Sequence, residues 1–240
     1  MAKQFDAHIW QESEDHLILF MDIMGFKDRV TRTPHKDLLK TLTDFKELND
    51  RLKPLLSDKN GELLRMVQFS DSIIIASMNP DKKSLNRIVK AAVVLMHNAL
   101  ESGFALKGAI AQGPLTFDAG TGIYFGLPIV DAYLLEEELK FYGVAFHHSV
   151  EPLIEDYIKQ PPQRDYQPLY APIEACKLPL KSGNSSYYCV AYQKMSKDLS
   201  KNDYSKRLST LVTNIGKTVS GAPRIYIDNT LNFFKDNPFS

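Results

Sequence analysis

The residues of this chain best suited to chemistry are two aspartates. Asp22 lies in Phe20-Met21-Asp22-Ile23-Met24-Gly25-Phe26 and Asp71 in Phe69-Ser70-Asp71-Ser72-Ile73-Ile74-Ile75, so each acid sits at the edge of an apolar run of strand length. Hard cations such as Mg²⁺ and Mn²⁺ take oxygen ligands, and one or two carboxylates suffice when substrate phosphates and water complete the shell. The turn Ile23-Met24-Gly25-Phe26 leads into a helix-like stretch, so its backbone N–H groups can face phosphate oxygens, with Gly25 permitting close approach. Taken singly, an aspartate in either place would do no more than cap a helix or shape a turn. Together, flanked by phenylalanine and by apolar strands, they read as a two-carboxylate metal site.

The spacing of apolar residues says which elements carry these acids. Leu17-Ile18-Leu19-Phe20-Met21 is a short apolar run that breaks at Gly25, which puts Asp22 at the C-terminal end of a strand. After Pro34, Leu38, Leu39, Leu42, Phe45, Leu48 and Leu52 recur at helical spacing until Lys53-Pro54, where a stop is expected. Asn60-Gly61 signals a turn, and Leu63 to Phe69 and Ser72 to Ala76 predict a hairpin with Asp71 in its turn. Leu85, Ile88, Val89, Ala92, Met96 and Leu100 predict a second helix closed by Gly103, and Phe104 to Gln112 returns to strand character. The order β-α-β-β-α-β is the ferredoxin-like α+β arrangement, an antiparallel sheet covered by helices on one face. In that order the first and third strands lie side by side, so Asp22 and Asp71 approach each other across the sheet.

Composition sets the bounds. The chain has 240 residues, 44% hydrophobic and 24% charged, which is ordinary globular composition. Its 29 basic side chains balance 29 acidic ones, so no global positive field favours nucleic acid. Cys176 and Cys189 are too few for a disulfide framework and read as packing residues. Residues 1–14 lack a signal-peptide core and no apolar run approaches the ~20 residues of a membrane span, so a cytoplasmic protein without a membrane partner is expected. Residues 1–14 read as a lead, 15–159 as the core, and 160–240 as an extension packed on it. The break is Gln160-Pro161-Pro162-Gln163-Arg164. After it come a hairpin, Leu169 to Lys177 and Tyr187 to Tyr192 joined by Ser182-Gly183-Asn184, then a last helix at Leu208 to Ile215 and a tail, Tyr226 to Phe234, that cap the core. His147-His148 would point to opposite faces of a strand without a third ligand, and Gly120-Thr121-Gly122 has no Walker lysine.

Four motifs in order carry a resemblance. Asp22 in Phe-x-Asp-Ile-x-Gly-Phe and Asp71 in Phe-Ser-Asp-Ser are followed by Lys107-Gly108-Ala109-Ile110-Ala111-Gln112-Gly113. Then comes Gly122-Ile123-Tyr124-Phe125-Gly126 with Ala132 and Leu135-Glu136. Over roughly residues 15 to 140 the chain resembles class III nucleotidyl cyclases, most closely the pyrimidine cyclases of the bacterial Pycsar antiphage defence system. The resemblance implies a homodimer with the active site at the subunit interface. It implies two Mn²⁺ or Mg²⁺ ions held by Asp22, Asp71 and the carbonyl of Ile23. Nucleotide contacts would come from Phe20, Ile23, Gly25, Phe26, Arg65 and Lys107. The implied reaction converts UTP to 3′,5′-cyclic UMP and pyrophosphate, a second messenger for a downstream cyclic-nucleotide-responsive effector; CTP, a purine triphosphate, or a silent nucleotide-binding module are the alternatives.

The departures matter too. Laid without gaps on the adenylyl cyclase pattern, the asparagine and arginine that stabilise the transition state fall on Val130 and Leu134, and neither donates a hydrogen bond. The purine-reading lysine and aspartate fall near Val67 and Ile123, which disfavours adenine. Lys107 stands where the pyrimidine cyclases commonly have arginine, keeping the charge but losing the bidentate fork.

Overall fold

A computed structural model describes residues 15–58, 61–118, 120–159, 173–194 and 201–238. The first apolar run forms β1 (Asp15–Ile23), buried from His16 to Met21. A short α1 (Phe26–Arg32) and α2 (His35–Asn49) follow, then α3 (Lys53–Leu56). Pro54 does not stop the helical segment as expected; a 3₁₀ turn at Asp50–Leu52 intervenes and Pro54 sits in the first turn of α3, where no N–H is needed. The two-residue strands β2 (Ser57–Asp58) and β3 (Gly61–Glu62) pair with each other. Next come β4 (Leu64–Phe69), β5 (Ser72–Ser77), α4 (Lys82–Glu101) and β6 (Leu106–Asp118). Asp81 caps α4, its Oδ1 accepting from the Ser84 N–H at 2.7 Å.

The four core strands run β4-β5-β1-β6, every pair antiparallel, which is the ferredoxin-like order. β1 is central, with Asp22 opposite Ser72 of β5 on one side and Lys107 of β6 on the other. Side chains alternate across the sheet. Phe20 meets Tyr133 of α5 (Leu127–Glu138) edge to face at 5.7 Å, so the Ile18, Phe20 and Asp22 face lies toward α5. The alternate set, Leu17, Leu19, Met21 and Ile23, is left for the layer of α4 and α2. Helices thus occupy both faces of this sheet, not one. β6 also runs further than expected, to Asp118, and pairs there with β7 (Ile123–Gly126) ahead of α5.

Beyond β6 the sheet continues through β8 (Val144–Phe146), which pairs parallel with β6, a departure from the antiparallel expectation. A 3₁₀ turn (His148–Val150) and α6 (Glu151–Lys159) follow. The hairpin of β9 (Ile173–Leu180) and β10 (Gly183–Val190) then joins the same sheet at β8, with Cys189 opposite Ala145. Its turn falls at Lys181-Ser182; the proline-rich break and Leu169 to Pro172 lie outside the described residues, as does the lead. Both cysteines are free and buried.

α7 (Lys201–Gly216) packs on α4, and α8 (Arg224–Asp236) is pinned to the end of α5. The Thr230 hydroxyl accepts from the Tyr142 N–H at 2.8 Å, and the Asn229 amide donates to the Lys140 carbonyl at 2.8 Å. No helix among the described residues is long and apolar enough to cross a membrane.

Candidate active site

Strand pairing delivers Asp22 and Asp71 to one place. Asp22 is the last residue but one of β1, and Asp71 lies in the two-residue turn between β4 and β5. Just past the β1–β5 ladder, the Ile23 N–H donates to the Asp71 carbonyl at 3.0 Å. The turn is strained: Ser70 adopts φ 56, a left-handed conformation in a residue other than glycine. A non-glycine in that conformation commonly marks a functional turn. Phe69, just before it, is 82% exposed.

The electrostatics single out Asp22. Burial, then the negative charges of Asp71 and Glu136, push its carboxyl up to about 7, while Lys107 pulls the other way. Lys107 and Glu136 form a buried ion pair, Nζ to Oε1 3.0 Å, and the same ammonium donates to the Glu136 carbonyl at 3.0 Å. Burial raises the Glu136 pKa, and Lys107 opposes that rise. Three acids and one lysine therefore converge on the α5 side of β1, leaving the group short of positive charge. That deficit suits a cation.

Of the other expected contacts, Gly25 opens α1 with φ 71, a conformation a side chain would strain, and nothing lies within 4 Å of where a Cβ would stand. The Met24 N–H is spent on the Ala105 carbonyl at 2.8 Å, which fixes the turn after Ile23. Phe20 is buried against Tyr133, and Phe26 packs on the core. Arg65 stands apart. It lies opposite Ala76, itself opposite Ile18, so it is four positions along the sheet from the Asp22 level, about 13 Å at strand rise. Its guanidinium donates to the Phe117 carbonyl at 3.2 Å.

Val130 and Leu134 are 51% and 55% exposed on the outer side of α5, and Ile123 is 52% exposed on β7. Val67 is half-buried on β4. His147 and His148 lie at a 3₁₀ turn, not along a strand: the His147 Nδ1 is 3.0 Å from the Ser149 hydroxyl and 3.8 Å from Asp131. No cluster of three or more His, Cys, Asp or Glu side chains poised for a metal occurs among the described residues. Sequence reasoning gave no role to Glu136, whose partner Lys107 is on another element; only its burial on α5 discloses the pairing.

No family model matches the chain, and no curated protein matches it by sequence. Solved structures do. The guanylate cyclase domain of a rhodopsin-guanylyl cyclase from Catenaria anguillulae in complex with GTP superposes with TM-score 0.55 at 16% identity, over 75% of this chain and 98% of that one. The catalytic core of a rhodopsin-guanylyl cyclase with converted specificity, in complex with ATPαS, gives 0.51 at 16% identity over 75% and 97%. A bacterial light-regulated adenylyl cyclase gives 0.50 at 12% identity over 82% and 100%. At these identities the likeness is one of fold, the fold shared by these guanylyl and adenylyl cyclase domains. Nothing in it selects a base.

Proposed function

We propose that this chain is a metal-dependent nucleotide cyclase that converts UTP to 3′,5′-cyclic UMP and pyrophosphate. The observation that carries the reading is the pair of acids, Asp22 and Asp71, held together at the strand ends of a cyclase fold with the Asp22 carboxyl raised to about 7. Two carboxylates forced together with too little positive charge nearby form a ready site for hard cations, so the residues present fit Mg²⁺ or Mn²⁺. Asp22, Asp71 and the Ile23 carbonyl would hold two such ions. When bound, these supply Lewis acidity that eases loss of the ribose 3′ proton and neutralises charge on the phosphates.

The chain's own residues then position the substrate. Gly25 and the first turn of α1 would offer backbone N–H groups to the triphosphate, with Phe26 anchoring α1 on the core. Lys107 remains within Coulomb reach of Asp22 and lends positive charge beside the phosphates, despite its pairing with Glu136. Arg65 would meet nucleotide only in an assembled dimer. The 3′ oxygen attacks the α-phosphorus, the bond from that phosphorus to the bridging oxygen breaks, and pyrophosphate leaves. In-line positioning supplies much of the acceleration.

The reading includes a homodimer with its active site at the subunit interface. Leu127, Val130 and Leu134 of α5, with Ile123 and Phe125 of β7, each expose more than half their surface. A helix apolar on both faces reads as one meant to be covered, and a contiguous apolar patch of this kind marks an interface. UTP is preferred because the positions that would read a purine are Val67 and Ile123, both apolar, and because of the pyrimidine-cyclase motifs. The antiphage role, with a downstream effector responding to the cyclic nucleotide, rests on those motifs alone.

The test is incubation of the purified protein with ATP, GTP, CTP and UTP separately, with Mn²⁺ or Mg²⁺, and mass spectrometry against 3′,5′-cyclic standards. Cyclic UMP that disappears in Asp22→Ala is the expected result. Cyclic CMP or a purine product would correct the base. No product from an intact, metal-binding dimer would favour a silent nucleotide-binding module, the reading that apolar Val130 and Leu134 support.

A further inference from the structure

A cavity borders the turn that follows β1. It has a volume of about 340 Å³, within the range of small-molecule sites, and neither Asp22, Asp71 nor Lys107 lines it. Its walls come from α1 and the start of β6 on one side and from the α7–α8 connection on the other. The C-terminal extension therefore completes it.

Its chemistry is specific. Arg29 reaches into this region half-buried, stacks its guanidinium 4.6 Å from the centre of the Phe104 ring, and donates to the Gly103 carbonyl. No carboxylate among the described residues ion-pairs with Arg29, and burial lowers its pKa, so its charge is held at a cost. Arg32, three residues on and largely exposed, also lines the cavity, with Asp28 3.9 Å from its guanidinium. Two tyrosine rings form another part of the lining. Tyr142 and Tyr226 lie nearly parallel, ring centres 6.0 Å apart at 17°, with Ile215, Thr218 and Val219 alongside. Two arginines against one aspartate call for an anion, and arginine suits a planar or tetrahedral oxyanion with its fork of donors. Stacked tyrosines call for a ring.

We propose that this cavity binds a small anion carrying a flat ring, with the anionic group on Arg29 and Arg32 and the ring against Tyr226. The site borders Met24 and Gly25, the turn that follows Asp22 and Ile23, so an occupant would stiffen the segment on which the candidate metal site is built. The binding argument uses Arg29, Arg32 and Tyr226 and does not need the cyclase reading, although the cavity shares Gly25 with the proposed triphosphate cradle.

The probe is phenyl phosphate, titrated calorimetrically into full-length protein freed of divalent ions by dialysis, with inorganic phosphate and phenol as its two halves. The expected result is saturable binding at least about tenfold tighter for phenyl phosphate than for either half. Val219→Trp, which fills the cavity from a surface connection, and Arg29→Met should each weaken it by about tenfold or more. Asp71→Ala should leave it unchanged. If Arg29→Met fails to fold, Val219→Trp carries the test alone. No saturable heat up to ~20 mM, or binding that survives Val219→Trp but vanishes in Asp71→Ala, overturns the proposal.

Discussion

Replacing Asp22 by asparagine should make the metal-free protein more stable while destroying its activity. A carboxyl held at about 7, against an ordinary value near 4, resists ionisation in the folded state. At 1.36 kcal/mol for each tenfold change the full charging penalty approaches ~4 kcal/mol. Asp22 is only half-buried, so solvent screening leaves about 1–2 kcal/mol of that penalty in the fold. The sign follows from proton counting. Between about pH 4 and 7 the folded protein binds more protons at this group than the unfolded chain, so stability falls as the pH rises through that window and stays low above it. The asparagine variant would have no such dependence. In urea unfolding with EDTA, Asp22→Asn should therefore exceed the parent by about 1–2 kcal/mol at pH 8 and match it near pH 4. Adding Mn²⁺ should raise the melting temperature of the parent and leave the variant unmoved. A variant no more stable than the parent at pH 8, or one whose gain persists unchanged at pH 4, would refute the reasoning that burial, with the neighbouring acids, resists ionisation of Asp22.

Three further outcomes are expected. Lys107→Met strands Glu136 in the core and should cost about 3–5 kcal/mol by urea unfolding, whereas Lys107→Met with Glu136→Leu should recover most of that stability. Cyclase turnover should not return in the double variant; equal stability of the single and double variants would show that the pair is not coupled. Val130→Asp, on an exposed apolar helix face, should leave the fold intact by circular dichroism but shift sedimentation from dimer to monomer and abolish activity, and an unshifted dimer would place the interface elsewhere. Ser70→Gly relieves the left-handed conformation in the β4–β5 turn and should stabilise the protein by up to ~1 kcal/mol in thermal or urea unfolding; a loss of stability would mean that the serine side chain contributes more than its strain costs.

The parts of the fold that were legible in the sequence are those set by local rules. Short apolar runs ending in Asp22-Ile23-Met24-Gly25 and Phe69-Ser70-Asp71-Ser72 predict strand, turn and sheet order, and the observed pairing of β1 with both β5 and β6 follows from that order. Two segments ran on past the ends expected of them. Pro54 begins α3, and Pro114 sits inside β6 where it is opposite only Asp15, at the very start of β1, so the strand runs on through Leu115 and Phe117 to Asp118. What no local rule supplies is a partner on a distant element, and the buried Lys107–Glu136 pair is of that kind.

α5 shows where the two levels of reading meet. Pro128, Ala132 and Leu135 turn inward, while Leu127, Val130 and Leu134 turn out, so no apolar stripe marks one face of the helix in the sequence. The same residues that break the adenylyl cyclase pattern at Val130 and Leu134 are the ones the fold leaves bare. A polar asparagine and arginine at these places would have served a substrate; valine and leucine exposed there serve an apolar surface instead. Within one subunit, Lys107 is the cation that β6 places opposite Asp22.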